Sequence, residues 1–260
     1  MSATPTQPVQ GLAVAVLDRA EPALATAEGA PALHAAGARP HADGSGRTST
    51  ARSSFVRATR RTLDFSVAAL ALLLTSPFLI AIAIAIKLDS QGPVLFRQRR
   101  VGRNRREFTI FKFRTMRQDA DASRHRKYVQ TLIGGESQSE RGHLYKLSVD
   151  DRVTRVGRVL RSWSLDELPQ LINVLRGEMA LVGPRPVIPY EVEMYPEDYL
   201  RRFAVKPGLT GLWQVSGRNE RTYDEMVSFD IEYAEADSLL LDLRILLKTV
   251  PVVLRRQGVA

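Results

Sequence analysis

FSVAALALLLTSPFLIAIAIAI, Phe65 to Ile86, carries no charged residue over roughly 22 positions, the length a helix needs to cross a bilayer. Length alone points to a transmembrane span. Its interior Ser76-Pro77 argues otherwise. A proline inside a helix removes one i→i−4 hydrogen bond and clashes with the preceding turn, and a serine beside it can bond back to the backbone. The expected outcome is a kink that divides the run into two arms of about 10 residues, each about 15 Å long. Basic residues stand on both flanks: Arg52, Arg57, Arg60 and Arg61 before the run, then Lys87, Arg97, Arg99, Arg100, Arg103, Arg105 and Arg106 after it. Positive charge marks the cytoplasmic side of a membrane segment, so both flanks are assigned to the same side. A helix that enters one leaflet, turns at Ser76-Pro77 and returns reconciles kink and charge, as a monotopic anchor.

The rest of the chain divides around this anchor. Residues 1–55 are rich in Ala, Pro, Gly, Ser and Thr; such a segment buries too little apolar surface to offset its ordering entropy, and a disordered tail is expected. Residues 56–90 are expected to form the basic flank and anchor, and residues 91–260 a folded domain on the cytoplasmic face of the membrane. The formal net charge is +9, with 44% hydrophobic residues. That balance suits an anionic partner, be it a phosphorylated substrate, a membrane surface or nucleic acid. There is no cysteine, which excludes disulfides and Cys-based metal or nucleophile sites.

After the Gly92-Pro93 turn, VLFRQRRVG and REFTIFKFRTM predict a short hairpin with unusually cationic polar positions: Arg97, Arg99, Arg100, Lys112 and Arg114. Lys112 and Arg114 alternate on one strand face, with Phe111 and Phe113 on the other. They form a candidate phosphate platform, whereas the arginines near Arg103 read as charge facing a lipid surface. Gln118 to Lys146 is polar and irregular.

Ser164-Leu165-Asp166-Glu167 has the S-x-x-E form of a capping box, followed by Leu168, Leu171, Ile172 and Leu175 at helical spacing. A well-started helix would explain that much. The cations Arg158, Arg161 and Arg185 exceed what a cap requires. Adjacent acids at a helix start can supply one carboxylate as nucleophile and another as ligand for a divalent cation. A carboxylate attacking phosphorus gives an acyl phosphate, which splits one difficult transfer into two easier ones. VKPGLTGLWQVSGRN, Val205 to Asn219, is a glycine-punctuated loop that could serve donor binding. LLLDLRILLKTVPVVLRRQG reads as an interfacial helix kinked at Pro251 and closed by Arg255 and Arg256.

The anchor with its Ser-Pro pair, GPVLFRQRRVG, FTIFKFRTM, DDRVTRVGRVLRSWSLDELPQLINVLRGEMALVGPRPV and KPGLTGLWQVSGRN together resemble the bacterial sugar transferases, the monotopic polyprenyl-phosphate sugar-1-phosphate transferases. The likeness runs from about Arg60 to Thr249. With no multi-span segment ahead of the anchor, it is nearest to the short members that start exopolysaccharide synthesis. The resemblance implies transfer of a hexose 1-phosphate from a UDP-sugar to undecaprenyl phosphate, with release of UMP, at the cytoplasmic face of the bacterial inner membrane. It implies Asp166 as the nucleophile, Glu167 as a Mg²⁺ ligand, and Lys112, Arg161 and Arg185 as phosphate contacts; Arg114 and Arg158 join them as candidate substrate-binding cations. Ser76 and Pro77 fall on the family's re-entrant turn. Tyr233 to Leu239 reads YAEADSL, with Asp237 where the family usually carries an aromatic residue. The expected fold is α+β and mainly helical, built from the re-entrant anchor, a small hairpin and interfacial amphipathic helices. Nucleic acid is not an expected partner, and a homodimer stays open. The competing reading is a membrane-tethered basic binding protein without catalysis.

Overall fold

In the computed structural model, residues 48–117, 152–216, 222–236 and 238–255 are described. The expected tail up to residue 47, the polar segment of residues 118–151, Asp237 and Arg256 lie outside them.

Helix α1, Thr48–Asp89, is 42 residues long and contains Pro77. It begins inside the stretch assigned to the tail. Helical structure continues through Ser76-Pro77. Ser76 supplies the reason: its hydroxyl donates to Leu73 O at 2.8 Å, the carbonyl that Pro77 leaves without an N–H. Thr75, one residue earlier, also bonds back, its hydroxyl donating to Ala71 O at 2.6 Å. One face of α1 stays bare, with Leu73 and Leu74 each 71% exposed. Within Val56–Asp89 the most apolar 18-residue stretch has a mean hydropathy of 2.5 and is 11% buried, so the helix is long and apolar enough to cross a membrane.

The opposite face is built into the rest of the molecule. Ala68 belongs to the main core with Ile110, Leu171, Val174, Met179, Leu181 and Tyr233, and Ile82 and Ile86 pack with Phe113 and Leu160. Polar contacts fix both ends. Near the start, Arg60 Nε donates to Asp242 Oδ2 at 2.6 Å, Arg61 donates to Val174 O and Leu175 O at 2.6 and 2.7 Å, and Asp64 accepts from Leu181 N at 3.0 Å. At the far end, Asp89 accepts from Val156 N at 3.0 Å. From Arg60 to Asp89 is roughly 44 Å at 1.5 Å per residue, and one folded body holds both ends. Arg60 and Arg61, read as part of the basic flank, are occupied by these contacts.

The predicted hairpin is present as β1, Leu95–Val101, and β2, Glu107–Phe113, paired antiparallel from Leu95↔Phe113 to Val101↔Glu107. Arg97 and Arg99 are exposed as expected, whereas Arg100 is only 1% exposed. Helix α2, Arg155–Ser162, is capped by Thr154, whose hydroxyl accepts from Gly157 N. The chain then makes a 3-10 turn, Leu165–Gln170, followed by α3, Leu171–Arg176. Gly177, at φ 79°, ends α3 in the left-handed conformation that favours glycine.

Strand β3, Ala180–Val182, pairs in parallel with β4, Gly208–Thr210. Between them lie α4, Pro189–Val192, and a second 3-10 turn, Glu197–Ala204. Helices α5, Leu212–Val215, α6, Tyr223–Ala236, and α7, Leu239–Leu254, complete an α+β, mainly helical fold. Helix α7 runs through Pro251 and leaves Leu240, Leu243, Leu247, Val250 and Leu254 exposed on one side, as an interfacial helix requires.

Candidate active site

The capping box is absent. An N-cap needs an extended backbone, but Ser164 sits in the left-handed region at φ 54°, ψ 24° and its side chain makes no cap hydrogen bond. Glu167 is therefore free of capping and turns to cations from other elements. Its Oε1 accepts from Lys112 Nζ at 3.2 Å and lies 3.7 Å from Arg185 Nη1. Lys112 and Arg185 are 5% and 7% exposed. In so dry a setting each charge depends on its partner. Asp166 adjoins them in the same turn and is 4% exposed.

Lys112, Glu167 and Arg185 share the wall of one pocket with Arg100, Gln170 and Gln214. Gly208 and Leu209 line it too, so the glycine-punctuated loop does reach the site. Of the acidic pair, Glu167 contributes to the pocket wall. The other predicted cations are placed differently. Arg161 Nε donates to Thr115 Oγ1 at 2.8 Å. Arg114 Nη2 donates to Ser90 O and Oγ at 2.7 and 2.9 Å, and burial lowers its pKa. Both brace the junction between the hairpin, α2 and the end of α1. Arg158 is exposed on α2, and the structure does not bring it to the pocket.

Sequence reasoning missed Asn173, which is fully buried. Its Oδ1 accepts from Phe111 N at 3.2 Å, and its Nδ2 donates to Thr109 O and to Glu178 Oε2, each at 2.7 Å. The amide thus pairs with the outer edge of β2 as a neighbouring strand would, and fixes α3, directly after the acidic turn, against the strand that carries Lys112. The available signal was an amide between Ile172 and Val174 in an otherwise apolar stretch. Arg100 was also missed, having been read as surface charge.

Adjacent carboxylates suit Mg²⁺, which binds through one or two carboxylates and completes its shell with water and substrate phosphate. Among the described residues no group of three or more His, Asp or Glu forms a metal cage, so Asp166 and Glu167 could hold the ion only together with a phosphorylated ligand. The pocket therefore offers one carboxylate, Glu167, beside fixed cations, with Asp166 next to it in the same turn, an arrangement fitted to phosphoryl chemistry.

Comparison with known proteins agrees. A family model described as bacterial sugar transferase matches residues 55–256. The exopolysaccharide production protein ExoY of Rhizobium meliloti is 43% identical over 199 residues, covering 76% of this chain and 87% of the relative. The UDP-glucose:undecaprenyl-phosphate glucose-1-phosphate transferase of Caulobacter vibrioides is 44% identical, covering 75% of this chain and 69% of the relative. The undecaprenyl-phosphate galactose phosphotransferase of Salmonella typhimurium is 42% identical over 76% of this chain but only 41% of its own length. With the acidic turn, the cationic pocket and the apolar helix all inside the matched region, the chain belongs to the bacterial sugar transferase family.

Proposed function

We propose that the protein transfers a hexose 1-phosphate from a UDP-sugar to undecaprenyl phosphate, releasing UMP and beginning exopolysaccharide assembly on the cytoplasmic face of the bacterial inner membrane. The observation that carries this reading is the buried Lys112–Glu167–Arg185 cluster at the pocket, beside Asp166 and within a body that includes the apolar helix. The names of the relatives support the donor and acceptor classes.

An oxygen of the Asp166 carboxylate attacks the phosphorus that bears the sugar, and the bond to the uridine-linked phosphate breaks, with UMP leaving. An oxygen of undecaprenyl phosphate then displaces Asp166 from that phosphorus, which regenerates the carboxylate and forms the lipid diphosphate sugar. Lys112 and Arg185 bind and orient the diphosphate and stabilise charge developing on its oxygens. Mg²⁺, held by Glu167 and the diphosphate, would supply charge neutralisation at the phosphates. For the membrane we propose a monotopic arrangement, supported by the contacts of one folded body with Arg60, Arg61 and Asp64 near one end of the apolar run and with Asp89 at the other.

The test is UMP release from a panel of UDP-sugars by detergent-solubilised protein with undecaprenyl phosphate and Mg²⁺. One or more donors should turn over, and Asp166→Asn should abolish turnover together with the covalent sugar-phosphate adduct. Glu167→Gln should retain the adduct at a much reduced rate. An active Asp166→Asn would refute the covalent route, and failure of every donor would leave a binding protein.

A further inference from the structure

Arg185 reaches Glu167 from a loop, Gly183 to Val187, in which Pro184 and Pro186 have no backbone N–H to anchor it. Backbone bonds hold its ends, from Gly208 N to Pro184 O at 2.9 Å on one side, and buried side chains support its middle. Arg202 Nη2 donates to Arg185 O at 3.1 Å, and Arg100 Nη1 donates to Pro186 O at 3.1 Å. Val101 N donates to Val187 O at 2.8 Å, and Glu191 Oε1 accepts from Ile188 N at 3.4 Å. Four consecutive residues are thus each tied by a backbone atom.

The two arginines are 1% exposed and belong to one chain of contacts. Arg202 pairs with Asp230 and donates to Tyr195 OH at 2.9 Å. The Tyr195 and Tyr223 hydroxyls are 2.5 Å apart, and Tyr223 donates to Glu191 at 3.2 Å. Glu191, 1% exposed, lies in the fields of Arg100 and Arg202. Burying so many charges is costly, and an apolar core of equal volume would hold the fold as well. What an apolar core lacks is donors for two carbonyls.

We infer that Arg202 and Arg100, set by Asp230 and by the Tyr195–Tyr223–Glu191 chain, are positioning residues that hold the Arg185 loop rigid so that its guanidinium meets the donor diphosphate. This rests on the proposed transferase reading for the identity of the ligand. The device supplies preorganisation: the loop is ordered before the diphosphate arrives, so binding does not have to order it.

The experiment is a double-mutant cycle between Arg202→Lys and Arg185→Ala in the full chain, which reads coupling as departure from additivity. Lysine keeps the charge opposite Asp230 but loses the planar fork that spans Asp230, Tyr195 and Arg185 O together. Two readouts are taken, affinity for inorganic pyrophosphate by calorimetry and KM for the UDP-sugar. Arg202→Lys should weaken both about tenfold, equivalent to about 1.4 kcal/mol, with kcat less affected. In the Arg185→Ala background it should change neither. Arg100→Lys should behave likewise from the other carbonyl. Additive losses, or unchanged pyrophosphate affinity in Arg202→Lys, would overturn the inference. So would unfolding of both lysine variants, since the arginines would then serve the fold and not the loop. Coupling in pyrophosphate binding without turnover of any donor would sink the transferase reading alone, while turnover without coupling would sink this one.

Discussion

Asn173→Ala should destabilise the protein by about 2–4 kcal/mol. The substitution removes the acceptor for Phe111 N–H, the donor to Thr109 O and the donor to Glu178. Each neutral bond contributes about 1 kcal/mol net and a bond to a charged group about 1.5–3. Glu178 is half-buried, so water recovers part of its share. Against a total stability of about 5–15 kcal/mol, that is a large fraction, and for a body of this size it lowers Tm by roughly 5–15 °C. Thermal unfolding in detergent, followed by the fluorescence of Trp163 and Trp213, gives the number. Asn173→Asp adds a sharper comparison. It keeps the acceptor for Phe111 N–H but sets a second carboxylate against Glu178. It also loses the donor to Thr109 O, so Asn173→Asp should be no more stable than Asn173→Ala at neutral pH. Both variants should also weaken catalysis, because Lys112 adjoins Phe111 and Glu167 lies in the turn entering α3. A loss below about 1 kcal/mol in Asn173→Ala would refute the claim that this amide completes the edge of β2.

Other expectations follow from the same contacts. Gly157→Ala should cost about 1–3 kcal/mol or more, because a Cβ there would stand 2.1 Å from the backbone oxygen of Thr115; urea titration measures it, and a stability unchanged from wild type would contradict this packing of α2 against the hairpin. Since the chain has no cysteine, Ala58→Cys and Gln91→Cys, exposed on either side of the apolar run, report topology by thiol labelling in oriented vesicles. Both should react from the same face, and labelling from opposite faces would establish a span. Burial raises the Asp230 pKa to about 6. The folded protein therefore holds that proton more tightly than the unfolded chain, and the stability this contributes is present below the unfolded value and lost as pH rises through about 6. Asp230→Asn should flatten the stability profile between about pH 4 and 6, and an unchanged slope there would be evidence against the assignment.

The hairpin was legible because alternation and a glycine turn are local signals, and β1 and β2 fall where they read. The acidic pair, Lys112 and Arg185 were legible as charges in a family-like order. The failures share a cause: burial is decided by distant parts of the chain. Arg100 and Arg97 look alike in sequence, yet Arg100 turns inward to Pro186 and Arg97 to solvent. Ser164 and Glu167 satisfy the capping spacing, but a left-handed Ser164 and the cations from β2 and the Arg185 loop redirect both. Asn173 gave almost no signal because its meaning lies in a strand edge more than 60 positions away.

The seam between α1 and the remaining fold has one more consequence. Cutting the chain after Asp89 would not release a soluble enzyme, because the cut would bare the pocket of Ile110, Leu171 and Val174 that Ala68 fills and strip the carbonyls at the end of α3 of Arg61. The apolar helix is thus a structural part of the catalytic body, so the protein needs a bilayer or a detergent to cover the bare face of α1 whenever the body is folded.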